Sequence, residues 1–149
     1  MVKSKGMMMI KGYKISCKKE DMDLVAIHNY IVRSYWAKGI SLETMNTAIK
    51  NSLCFGLFNH MNEQIGFARL ITDQATFAYL SDVYVLEDHR GQGLSKWLLS
   101  EIIKHPNLQG LRRIVLATSD AHGLYQEFGF QALGAPDKFM ELHQPNIYK

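Results

Sequence analysis

Residues 80–103 read LSDVYVLEDHRGQGLSKWLLSEII, and the two changes of character within this stretch decide the fold. Ala78–Leu86 is rich in β-branched and aromatic residues and apolar enough for an internal strand. Glu87–Arg90 is a polar break. Beyond it Leu94, Trp97, Leu98 and Ile102 recur at three- and four-residue intervals, the apolar stripe of a helix. A strand therefore runs into the turn Arg90-Gly91-Gln92-Gly93, and the turn into a helix N-terminus. Such a turn leaves several backbone N–H groups unpaired, and the helix dipole adds roughly half a positive charge there. Glycines at 91 and 93 keep any Cβ out of the path of an anion. A phosphate-bearing ligand fits this arrangement.

Two common phosphate loops are excluded. A dinucleotide fold needs a third glycine where Lys96 stands, and a P-loop needs a Gly-Lys-Ser/Thr ending that the chain lacks. What is present is Arg-x-x-Gly-x-Ser, from Arg90 to Ser95, after the strand Asp-Val-Tyr-Val. Taken alone, so short a glycine pattern equally fits an ordinary strand-to-helix turn. It resembles the coenzyme A pyrophosphate loop of the GNAT superfamily of N-acyltransferases, whose pattern is Gln/Arg-x-x-Gly-x-Gly/Ala. Ser95 departs from that pattern at its last position, where a small residue is still kept.

The 149 residues make one domain by size, able to bury a core without staples. A composition 47% hydrophobic and 21% charged belongs to a globular chain rather than a disordered one. A formal net charge of +3 is too mild to argue for nucleic acid. Lys3, Lys5, Lys11, Lys14, Lys18 and Lys19 read as a solvated basic face. Cys17 and Cys54 are isolated, without metal-ligand spacing, and read as buried free thiols. The apolar run Met7–Ile10 is far shorter than a membrane span or a signal peptide's core. These features predict a cytoplasmic protein with no membrane, nucleic-acid or metal partner, either monomer or homodimer.

In chain order, residues 1–11 read as a flexible leader and 12–149 as a single domain. Gly12–Cys17 alternates as a first strand. Asp21 and Asp23 open a helix carrying Leu24, Ile27, Ile31 and Val32, which Ser34–Gly39 breaks. Ser41 caps a second helix with Leu42, Met45 and Ile49 inward. Leu53–Asn59, Gln64–Thr72 and Thr76–Leu86 then read as three successive antiparallel strands. The next helix stops near His105-Pro106. Arg113–Thr118 reads as a buried strand parallel to its predecessor across a crossover. Ser119–Phe128 holds a short helix capped by Ser119 or Asp120 and closed by Gly129. Phe130–Leu133 and Phe139–His143 are expected as a last strand pair. This order is α+β, and it resembles the GNAT fold element by element: a mixed, mostly antiparallel sheet, helices on both faces, and one parallel crossover at the coenzyme A site.

Two further stretches carry the resemblance. Gly123-Leu-Tyr-Gln-Glu-Phe-Gly-Phe130 is similar to the family's late Leu-Tyr…Gly-Phe segment, whose tyrosine protonates the departing thiolate. This implies Tyr125 as general acid. A phenol titrates near ~10, above a thiol at ~8.5, so it keeps its proton at neutral pH yet can share it with a thiolate. Read without the resemblance, Tyr125 is packing on a short helix. The strand Ser81–Leu86 occupies the place where the family's strand splays and its free backbone groups bind pantetheine and the thioester carbonyl, roles that fall by register on Val83 and Val85. Arg90, Gly91, Gln92, Gly93, Leu94 and Ser95 would hold the pyrophosphate of acetyl-CoA.

The base that deprotonates the acceptor is assigned to Asp82, in the central strand, with a salt bridge as the equal alternative; Glu87 and His122 are further candidates. The resemblance puts the acceptor pocket at Tyr30, Tyr35, Trp36 and Phe139, suiting a small or partly apolar amine. The implied activity is acetyl transfer from acetyl-CoA to a primary amine of a small molecule or peptide, by direct attack in a ternary complex. The competing readings are a non-catalytic acyl-CoA-binding sensor or scaffold and a protein or tRNA acyltransferase.

Overall fold

The structure, a computed structural model, describes residues 9–149. The bulk of the expected leader, residues 1–8, lies outside the described residues. Ile10, at its end, packs against a cluster of Leu57, Ile65, Val85, Leu94 and Trp97.

One five-stranded sheet in the order β1-β2-β3-β4-β5 organises the chain. The strands are β1 Tyr13–Ser16, β2 Leu53–Asn59, β3 Gln64–Thr72, β4 Phe77–Val85 and β5 Arg113–Leu116. The first three neighbouring pairs are antiparallel and β4–β5 is parallel. Alternation sends each strand's apolar residues to both faces. On one face, α1 Leu24–Ile31 and α2 Leu42–Lys50 bury Ile27, Ile31, Met45 and Ile49 against Cys54, Phe67 and Tyr84. On the other, α3 Leu94–Lys104 lays Leu98, Leu99 and Ile102 on Phe55, Ala68, Leu70, Ala78 and Leu80. The short α4 His122–Gln126 adds Tyr125 to that second layer.

Helix boundaries follow local chemistry. Asp23 caps α1 by accepting from the Ala26 amide at 3.1 Å, and Ser41 caps α2 by accepting from Thr44 at 3.0 Å. The cap of α4 differs from expectation. Ala121 holds that position, and Thr118 Oγ1 accepts from its amide at 3.1 Å, so Ser119 and Asp120 stay free for other contacts.

Two expectations at the C-terminal end are corrected. No strand follows α4, and neither Phe130–Leu133 nor Phe139–His143 enters the sheet. Gly134 and Pro136 fall in the connection, which winds into a 3₁₀ turn at Pro136–Lys138 instead of a hairpin. As a result β5, read as buried, is the sheet's edge, with Ile114, Val115 and Leu116 only half-buried.

Candidate active site

The site is built where β4 and β5 part. Their parallel pairing ends at Leu80–Leu116, and beyond it β4 continues to Val85 with no strand on that side. The residues after Leu116 turn away into the loop before α4. An open cleft of about 750 Å³ fills the gap, walled by Ser81–Val85, Leu116–Ala121, Tyr125 and the aromatic residues Tyr30, Tyr35 and Trp36.

A β-bulge shapes the wall. Arg69 pairs with Ser81 and Phe67 with Tyr84, so Asp82 and Val83 together oppose Ala68. Asp82 takes a left-handed backbone, φ 55°, which a short polar side chain tolerates. The bulge brings the Asp82 carboxylate, 6% exposed, against Arg69: Nε donates to Oδ2 at 2.8 Å. The Trp36 indole donates to the other oxygen at 2.7 Å, and Arg69 also donates to the Ser52 hydroxyl at 3.2 Å. Both carboxylate oxygens are therefore engaged within the protein, which corresponds to the salt-bridge alternative read for Asp82. Arg69 was missed in the sequence, although a single charge inside the apolar run Gln64–Thr72 is itself a sign that a buried partner exists.

At one end of the cleft lies the glycine turn. Gly91 and Gly93 have φ of +83° and +84°, where an L side chain is strained. A Cβ on Gly91 would meet nothing within 4 Å, and one on Gly93 only Ile10 at 3.8 Å, so the approach to the turn is open. Gly93 is the N-cap of α3 and offers no side chain to its first amides. Arg90 and Ser95 line the cleft, Gln92 is exposed, and Leu94 is buried as the first core residue of α3. Arg90 is held back against the wall: Nε donates to the Val85 carbonyl at 2.8 Å and a terminal nitrogen to the Tyr30 hydroxyl at 2.9 Å. Tyr30 stacks on Tyr84 at 4.1 Å, with the Arg33 guanidinium 4.4 Å above its other face.

Tyr125 faces the cleft from the opposite wall, 8% exposed, its ring edge-on to Phe130 at 5.8 Å. Burial, then the neighbouring Tyr35 and the Asp120 charge, push its phenol above the ordinary tyrosine value. The hydroxyl stays protonated at neutral pH and makes no hydrogen bond to another described residue. Above it Tyr35 crosses the mouth: its hydroxyl accepts from Ser119 Oγ at 2.9 Å, and its ring meets Trp36 at 5.0 Å.

The other candidates separate. Glu87 forms a two-pronged pair with Arg33 at 3.1 and 3.2 Å, and that hydrogen bond pulls its carboxyl down to about 2. His122 is exposed. Phe139, assigned to the acceptor pocket, is a correction: it lies outside the cleft, its ring 5.1 Å from the Arg113 guanidinium at the far end of β5, because the hairpin that would have carried it inward is absent. Among the described residues no group of three or more His, Cys, Asp or Glu is placed to hold a metal.

Residues 24–130 match the profile of the acetyltransferase (GNAT) family. The chain belongs to the GNAT family. A solved GNAT-family protein of Xanthomonas campestris pv. campestris, described as a candidate acetyltransferase, is 46% identical and superposes with a TM-score of 0.90 over 94% of this chain and 99% of that one. A curated Gibberella zeae protein, named only as a candidate acetyltransferase, is 37% identical over 61% of this chain and 62% of its own length. This GNAT chain thus spans less than two thirds of that relative. A Clostridium acetobutylicum structure solved with acetyl-CoA, an acetyltransferase by prediction, shares the fold at 18% identity and TM-score 0.61, over 88% of this chain and 94% of that one.

Proposed function

We propose that the protein transfers an acetyl group from acetyl-CoA to a primary amine of a small molecule or peptide, by direct attack in a ternary complex in the cytoplasm. The observation that carries this reading is the convergence of the uncapped glycine turn, the unpaired edge of β4 and the Tyr125 phenol on one cleft. Bound acetyl-CoA would supply an activated acetyl thioester.

The amides opening α3 and the glycines at 91 and 93 would take the pyrophosphate. The outer backbone edge at Val83 and Val85 would align the pantetheine arm and direct an N–H at the carbonyl oxygen, where charge develops. Tyr125 would give its proton to the departing sulfur. Asp82, tied to Arg69 and Trp36, would fix the bulge that aims this edge, and the acceptor's proton would leave through water in the open cleft. Tyr30, Tyr35 and Trp36 would contact the acceptor. Neither cysteine suits a covalent relay: burial pushes both thiols up to about 11, and neither lines the cleft.

Two measurements test the reading. Acetyl-CoA at a hundredfold excess over Kd should add about 2.7 kcal/mol of stability, a rise in Tm of about 5–11 °C for a domain this size. Calorimetry that shows no binding up to millimolar acetyl-CoA would refute it. Gly93→Val should weaken acetyl-CoA binding by more than about tenfold, since a β-branched residue at φ +84° forces the turn to a new shape. Unchanged affinity in that variant would make the turn structural only.

A further inference from the structure

The glycine turn that opens α3 is not held by its own backbone. Gly91, Gln92 and Gly93 donate no backbone hydrogen bond to another described residue, and Gly91 and Gly93 sit at positive φ. A turn so free must order itself on binding, at a cost in affinity, unless side chains hold it beforehand. Side chains from the start of β1 do hold it. The Tyr13 hydroxyl lies 2.8 Å from His89 Nδ1 and accepts from Gln92 Nε2 at 3.2 Å. The same Gln92 nitrogen donates to the His89 carbonyl at 3.2 Å. A carbonyl can only accept, so the nitrogen of the Gln92 amide and not its oxygen faces this junction. The phenol oxygen takes one of its hydrogens, which leaves the phenol's own proton for Nδ1 of a neutral imidazole. The Tyr13 ring stands edge-on to His89 at 5.7 Å and packs against the cluster of Leu57, Leu94 and Trp97. Its amide donates to the Ile10 carbonyl at 3.1 Å, and Ile10 is the neighbour that a Cβ on Gly93 would meet. Residues 10–13 therefore touch the turn at both ends.

We propose that Tyr13 is a positioning residue for the cofactor: its phenol, joined to His89 and Gln92, fixes the glycine turn in the shape that receives the pyrophosphate of acetyl-CoA. In this role, which rests on the turn being the phosphate site of the reading above, Tyr13 acts through the turn and not on the ligand. Tyr13, His89 and Gln92 all lie outside the lining of the cleft. Both hydrogens of the Gln92 side-chain amide are spent within the protein, so that side chain is occupied and the backbone amides of 91–93 are left for the anion. A turn shaped in advance binds more tightly because less is ordered when the ligand arrives.

Calorimetry of the full chain with acetyl-CoA tests this. Tyr13→Phe should weaken binding by about three- to tenfold, the net worth of one or two hydrogen bonds, with Tm within a few degrees of wild type because the ring keeps its packing. Gln92→Leu should weaken binding too. In the double variant the two losses should fall short of multiplying, since phenol and amide act as one junction. In turnover the loss should appear in KM for acetyl-CoA, with kcat at saturation unchanged, because Tyr13 lies outside the cleft. A Tyr13→Phe protein that binds acetyl-CoA as tightly as wild type overturns this role and leaves the phosphate site standing. Losses that multiply, or a lowered kcat with unchanged affinity, overturn it as well. A wild type that fails to bind acetyl-CoA overturns both the role and the site.

Discussion

Tyr125→Phe is expected to lower kcat by about 10²–10⁴-fold while acetyl-CoA affinity stays within a few-fold. The substitution removes one hydroxyl and keeps the ring that packs against Phe130. That hydroxyl contributes no hydrogen bond to another described residue, so its loss leaves the fold intact. If Tyr125 is the proton donor, the variant must expel the bare thiolate into the cleft, and an acyl donor with a more acidic thiol should restore part of the rate. The raised phenol value adds a pH signature. Because burial holds the proton on Tyr125 beyond the usual tyrosine range, its ionisation should limit kcat only in strongly alkaline solution, and the wild-type profile should stay free of a tyrosine limb through neutrality. An unchanged kcat in a folded, saturable variant would remove Tyr125 from the mechanism. The assay uses a panel of amines with free coenzyme A as readout.

What was legible in the sequence was what local chemistry dictates. Strand, glycine turn and helix around Gly91 and Gly93 could be read because a positive φ, a helix start and an apolar stripe leave their marks within a few residues. Tyr125 was found through resemblance, since its burial beside Tyr35 and Asp120 depends on a loop contact across 84 positions. The Asp82 bulge was not legible: alternation along Leu80–Val85 looks regular, and only the register against Arg69 and Phe67 reveals the extra residue. The missing C-terminal strands misled for a related reason. Phe139–His143 has a strand's pattern, but a strand needs an edge to pair with, and this segment pairs with none among the described residues. Phe139 went astray with it.

Arg69→Met should cost about 3–5 kcal/mol, because it leaves the Asp82 carboxylate buried with the Trp36 indole as its remaining partner. For a domain of this length that is a fall in Tm of about 6–20 °C. Methionine preserves most of the packing of the arginine stem, so the loss is electrostatic rather than volumetric. Asp82→Asn alone should be milder. It keeps a short polar side chain in the left-handed conformation, and the Arg69 guanidinium, less buried than its partner, retains its bond to Ser52. Combining the two should recover stability relative to Arg69→Met, since no unpaired charge is then buried; the two costs must fall short of additive. The same pair joins the cleft to the sheet. With the carboxylate unanchored, the bulge at Asp82–Val83 loses the contact that fixes its geometry, and Trp36 loses its acceptor. Folded Arg69→Met should therefore also lose turnover at temperatures well below its midpoint, and the double variant should regain stability without regaining rate. Additive costs, or a double variant as unstable as Arg69→Met, would show that Arg69 acts through packing and not through Asp82.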